Sequence, residues 1–315
     1  MSSEHHRLGD NNMNFRKAIG PICVILSMSI SNCWAQTPVS YKGLAADFYD
    51  ADGNVAVVLL HGTLAHNRME IINTIATLIS EDYGYPVLTP NLSLNNQDRM
   101  GEKIQTSTKS YATLTACDIE HTHKYEDAVS ELGTWVEYLK QEGFEKILVS
   151  GHSRGGRQVS AFLAANNEPS IVGGVLIASG LSRNERNIEN YKKDTGLDVT
   201  ELLAQFSKLP QDQYVDVPKF IYCDKPRVTA GAFVSEYMDN PSHSAPYNVQ
   251  QIKDIPILVI GGSEDTVVPN IEADFAGLAD QSNVTVEVIE GADHFFRDLY
   301  ADDAATLMVD LIESI

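Results

Sequence analysis

Lys146-Ile147-Leu148-Val149-Ser150-Gly151-His152-Ser153-Arg154-Gly155 is the stretch that decides the fold. Its first half is a short apolar run of the length and character of a strand covered on both faces. Its second half sets a serine between two glycines, after which Val159, Phe162 and Leu163 recur at helical spacing. A strand that passes at once into a helix turns so sharply that side chains two positions either side of the serine would collide, and glycine has no Cβ to collide. Such a turn lifts the Ser153 hydroxyl above the end of the strand. It also directs the backbone N–H of Arg154 towards whatever that hydroxyl attacks. Glycine and serine are common residues, so the pattern gains weight only from its surroundings.

Those surroundings alternate between strand-like and helix-like segments. Val55 to Leu60 is a continuous apolar run that ends in His61-Gly62-Thr63. Ile71, Ile72, Ile75, Leu78 and Ile79 follow at helical spacing, and Gly84 closes that helix. Tyr85 to Thr89 reads as a strand stopped by Pro90, and residues 91–116 as a long irregular loop. Tyr125, Ala128, Val129, Leu132, Val136 and Leu139 mark one face of a long helix ended by Gly143. Ile171 to Ala178 is another buried strand. Regular alternation then pauses over residues 182–250, which hold short helical pieces and many aromatic residues. It resumes with a strand at Ile257–Ile260, a helix near Ile271–Leu278, a strand at Val284–Ile289 and a last helix. This order predicts an α/β fold with a mostly parallel, doubly wound sheet, and residues 182–250 as a small cap insertion.

In such sheets ligands gather beyond the carboxyl ends of the strands. Ser153, Asp265 and His294 each follow a strand in that way, the latter two within Gly261-Gly262-Ser263-Glu264-Asp265 and Gly291-Ala292-Asp293-His294. A serine nucleophile needs a base, an acid that orients the base, and donors for an oxyanion. The order Ser…Asp…His, together with His61-Gly62-Thr63 after the first long strand, resembles the α/β-hydrolase superfamily over about residues 40–312. The resemblance implies Ser153 as nucleophile, His294 as base and Asp265 as its orienting acid. It implies the N–H groups of Thr63 and Arg154 as the oxyanion hole, and cleavage of a carboxylic ester of a small molecule through an acyl-serine intermediate, with no cofactor or metal. Peptide, thioester or lactone cleavage and acyl transfer are the alternatives on the same fold, and a non-catalytic binding protein is the alternative outside it. Glu264 is the competing acid, Asp293 reads as a turn residue, and His61 and His152 shape the site rather than act as bases. Arg154 and Arg157 read as ordinary solvated side chains or as guides for an anionic group.

Other features bear on setting and partners. Arg16 and Lys17 precede an apolar stretch of about 13 residues, the length of a signal-peptide core and too short to span a membrane. Residues 1–35 are therefore expected to be cleaved and the protein exported. A lipid-modified Cys33 and a buried N-terminal helix are the competing readings. Cys117 and Cys223 remain after cleavage. They form either a disulfide in an oxidising compartment or two buried thiols. Asp118, Glu120, His121 and His123 have either metal-ligand character or the composition of a helix's first turn capped by Asp118. A formal net charge of -20 argues against binding nucleic acid or anionic membranes.

Overall fold

The computed structural model describes residues 36–92, 120–182 and 184–315. The expected signal peptide, Cys33, Cys117, Asp118 and nearly all of the expected 91–116 loop lie outside those residues. Along the chain run strands β1 (Thr37–Tyr41), β2 (Leu44–Tyr49) and β3 (Val55–Leu60), helix α1 (Glu70–Thr77) and strand β4 (Val87–Asn91). Next come β5 (Glu120–His121), α2 (Tyr125–Gln141), β6 (Lys146–His152), α3 (Arg154–Ala165) and β7 (Ile171–Ile177). A segment of short elements follows: α4 (Asn184–Thr195), α5 (Val199–Phe206), β8 (Tyr214–Val215), β9 (Lys219–Phe220), β10 (Cys223–Asp224), β11 (Arg227–Thr229), α6 (Ala230–Tyr237) and α7 (Ala245–Val249). The chain closes with β12 (Ile257–Gly262), α8 (Ile271–Phe275), β13 (Val284–Ile289) and α9 (Leu299–Ser314).

Eight strands form one sheet in the order β1-β2-β4-β3-β6-β7-β12-β13. The pairs from β4 to β13 are parallel, while β1–β2 and β2–β4 are antiparallel. The continuous apolar runs have a direct cause. In β3, Ala56, Val58 and Leu60 enter the core under α2 and α3, and Val55, Val57 and Leu59 enter the core under α1 and α9. Every side chain of a central strand thus meets a helix layer, and a polar alternation has no place there. No helix among the described residues is long and apolar enough to cross a membrane.

Several local features differ from expectation. The antiparallel hairpin β1–β2 was not legible from an apolar run. Its signal is Lys42-Gly43, both at positive φ between the paired Tyr41 and Leu44, as a two-residue hairpin turn requires. Pro90 does not stop β4 but lies within it. Pairing with β3 involves only Val87 and Leu88, so the missing proline N–H removes no bond on that side. Of the expected helix start, the described residues Glu120 to His123 are not helical. Glu120 and His121 pair with β11, and α2 starts at Tyr125, where the Asp127 carboxylate accepts the Lys124 N–H at 2.7 Å. Phe206, Phe220, Phe233 and Tyr237 build a third, separate core within the inserted segment, whereas Ala245 and Val249 of α7 join the core under α2 and α3. Cys223 is buried and disulfide-bonded, and the other three cysteines all lie outside the described residues.

The elbow is sterically closed. A Cβ on Gly155 would stand 2.5 Å from the carbonyl oxygen of His61, and one on Gly151 would stand 2.5 Å from the carbonyl carbon of Gly155. Gly155→Ala is expected to cost about 3 kcal/mol or more in urea unfolding, because backbone on both sides must move. Gly277→Ala, where a Cβ meets nothing within 4 Å, should stay within about 0.5 kcal/mol.

Candidate active site

Ser153 sits between β6 and α3 with φ 54° and ψ −120°, a conformation that a non-glycine residue rarely adopts. Hydrogen bonds hold it there. Its N–H donates to the Ile177 carbonyl at 2.8 Å, and its own carbonyl accepts from the Ser179 hydroxyl at 2.6 Å and from the Gly156 N–H at 3.1 Å. Gly156, which the elbow pattern does not include, is confined as tightly as its neighbours: a Cβ there would stand 2.1 Å from Ser179 Oγ.

Three loops bring the expected polar residues together. His294, in the loop after β13, lies with Nε2 3.1 Å from Ser153 Oγ and Nδ1 2.8 Å from Asp265 Oδ2. Asp265, in the loop after β12, is buried, and its other carboxylate oxygen accepts the N–H groups of Val267 and Val268 at 2.7 and 2.8 Å. Burial alone would push this carboxyl up. The hydrogen bond and charge of His294 and the two backbone donors outweigh it and hold the group below its ordinary range, ionised. The ionised carboxylate accepts a proton-bearing Nδ1, which leaves Nε2 free to accept the serine hydroxyl. Glu264 is exposed and takes no part in this chain of bonds. Asp293 accepts the Phe295 N–H at 2.9 Å and pairs with Arg297, as a turn residue does.

Thr63 borders Ser153 in a cavity of about 470 Å³. The loop that carries it approaches so closely that a Cβ on Gly62 would stand 3.0 Å from the Ser153 Cβ. Arg154 is the first residue of α3, so its N–H is one of the donors that have no acceptor within the helix. Its side chain is not solvated. The guanidinium is buried, ion-paired with Glu236 of α6 and stacked 5.1 Å from the Tyr125 ring centre. Nothing in the local sequence signals that partner, 82 residues away.

Two further histidines hold the loops in place. His61 Nδ1–H donates to the Gly62 carbonyl at 3.0 Å, and its Nε2 accepts the Leu92 N–H at 3.0 Å, which ties the end of β3 to the end of β4. His152 Nε2–H donates to the His294 backbone carbonyl at 2.8 Å, and the two rings are 4.8 Å apart. His152 therefore fixes the loop that bears His294. Burial pushes the pKa of both His61 and His152 down to about 3, so both are neutral in the folded protein. Among the described residues no three His, Cys, Asp or Glu side chains are grouped to hold a metal ion.

Residues 57–310 match the sequence profile of the alpha/beta hydrolase family. The chain belongs to that family. No curated protein sequence matches it. Among solved structures it resembles Est1E from Butyrivibrio proteoclasticus, with a TM-score of 0.57, 16% identity, and 88% of this chain and 99% of that one covered. It also resembles the siderophore hydrolase EstB from Aspergillus fumigatus, with a TM-score of 0.57, 10% identity, and 90% and 98% covered. A third similar structure is the Pyrococcus furiosus esterase Pf2001, with a TM-score of 0.52, 17% identity, and 89% of each chain covered. At these identities the likeness concerns the fold.

Burial of neutral imidazoles has a measurable consequence. Below about pH 6.5 an unfolded histidine takes up a proton that the folded His61 and His152 refuse. The unfolded state then binds more protons, so stability falls as pH drops from about 6.5 towards 3. Each histidine contributes a slope of up to about 1.4 kcal/mol per pH unit. Equilibrium unfolding between about pH 5 and 6.5, above the titration of most carboxylates, should show that slope reduced by one histidine's share in His152→Gln.

Proposed function

We propose that this alpha/beta hydrolase is an exported serine hydrolase that cleaves a carboxylic ester of a small molecule. The observation that carries the reading is the unbroken hydrogen-bond chain Asp265–His294–Ser153 at the carboxyl ends of β12, β13 and β6. In the first half-reaction Ser153 Oγ attacks the ester carbon while its proton passes to His294 Nε2. The tetrahedral oxyanion is held by the N–H groups of Thr63 and Arg154, each such donor lowering the barrier by about 3–4 kcal/mol. Collapse breaks the bond to the alcohol oxygen, and His294 returns the proton to that oxygen, leaving an acyl-serine. Water then enters; His294 takes its proton as the water oxygen bonds to the acyl carbon, and the carboxylic acid leaves as the proton goes back to Ser153. Asp265, ionised throughout, keeps the imidazole in the required tautomer and stabilises its charged form.

The inserted segment from α4 to α6 supports a cap reading, because Tyr222, Glu236 and Tyr237 line the same cavity as Ser153. Export is supported by the basic and apolar residues 16–30, and by a disulfide at Cys223, a bond that persists in oxidising compartments. Ser153→Ala is expected to lower kcat for a short-chain para-nitrophenyl ester by up to about a million-fold, and Asp265→Asn by about ten thousand-fold. Both variants should unfold cooperatively like the wild type. Ester turnover that survives Ser153→Ala would refute the assignment.

A further inference from the structure

The cavity that holds Ser153 differs in charge from the protein around it. The chain has a formal net charge of -20, yet Arg157, Arg186 and Lys219 line this cavity against only Asp194 and Glu236. Both acids are engaged: Lys219 pairs with Asp194, and the buried Arg154 pairs with Glu236. The lining therefore carries a net positive charge, and Arg186 presents it at the exposed rim of the opening. Asn187 and Asn190, on the same helix α4, extend that polar stretch of the lining. Leu181 and Val267, large apolar residues left 41% and 42% exposed, also border the opening. A positive rim on an acidic protein gathers anions locally, and the planar fork of an arginine matches a carboxylate better than any neutral group. An ester with only hydrocarbon on either side would meet the apolar border and leave Arg186, Asn187 and Asn190 without a counterpart.

We infer that the substrate is an ester that bears a free carboxylate beside an apolar portion, and that Arg186 is a residue that selects it. The inference rests on the serine-hydrolase reading above. Matched esters test it with the exported protein. Para-nitrophenyl hemiadipate against para-nitrophenyl hexanoate places the carboxylate on the acyl side. The butyryl ester of para-hydroxybenzoate against phenyl butyrate places it on the alcohol side. In at least one pair the carboxylate-bearing ester should have the higher kcat/KM at low salt. In that pair Arg186→Gln should lower the ratio of the two kcat/KM values about three- to fivefold, the range of an exposed ion pair. Raising salt to about 0.5 M should shrink the ratio in the wild type more than in the variant. Neutral esters favoured in both pairs, or a ratio unmoved by Arg186→Gln, would overturn the inference while leaving the hydrolase reading intact. A folded wild type that turns over none of the four esters would overturn both.

Discussion

The structure depends on one steric constraint, the close approach of three backbones around Ser153. The end of β3, the end of β6 and the start of α3 meet where a methyl group on Gly151 or Gly155 would overlap main-chain atoms. That approach forces Ser153 into a positive φ, a cost of order 1–3 kcal/mol that its surroundings must offset. They do so with hydrogen bonds to Ile177, Ser179 and Gly156, in a region covered by helices on both faces of the sheet. The strain has a use: the serine hydroxyl stands clear of the helix that follows it and faces the loops after β12 and β13.

Two neutral buried imidazoles hold the segments around Ser153, His61 at the ends of β3 and β4 and His152 at the loop after β13. His61 and His152 each spend a ring N–H on a backbone carbonyl, and neither joins the Asp265–His294–Ser153 chain. A charged His152, its ring 4.8 Å from that of His294, would compete with it for Asp265. Burial prevents that by keeping His152 uncharged, as it keeps His61 uncharged. On the other side, the Arg154–Glu236 pair and its stack on Tyr125 fasten the first turn of α3 to α6. The segment between β7 and β12 is thereby linked to the residue that follows Ser153.

Much of this was legible in the sequence because it rests on local patterns. Val55–Leu60 and Ile257–Ile260 are apolar at every position because both faces of their strands are covered. The glycines at 151 and 155 follow from the turn, and Asp265 and His294 stand just past strands, where a parallel sheet places ligands. What was not legible depends on contacts distant in sequence. Glu236 gives no local sign that it pairs with Arg154. Nothing around His121 indicates that it pairs with β11 rather than opening a helix. Pro90 looks like a strand terminator until the limited pairing of β4 with β3 is known. The β1–β2 hairpin was missed for another reason: its signal is the backbone of a Lys-Gly turn rather than an apolar period.

Peptide mapping by mass spectrometry after reaction with a fluorophosphonate shows whether Ser153 is the nucleophile. One adduct per chain is expected, on the Oγ of Ser153, with no labelling in His294→Gln on the same time scale. An adduct on a different residue, or no adduct on a folded protein that still hydrolyses esters, would contradict it.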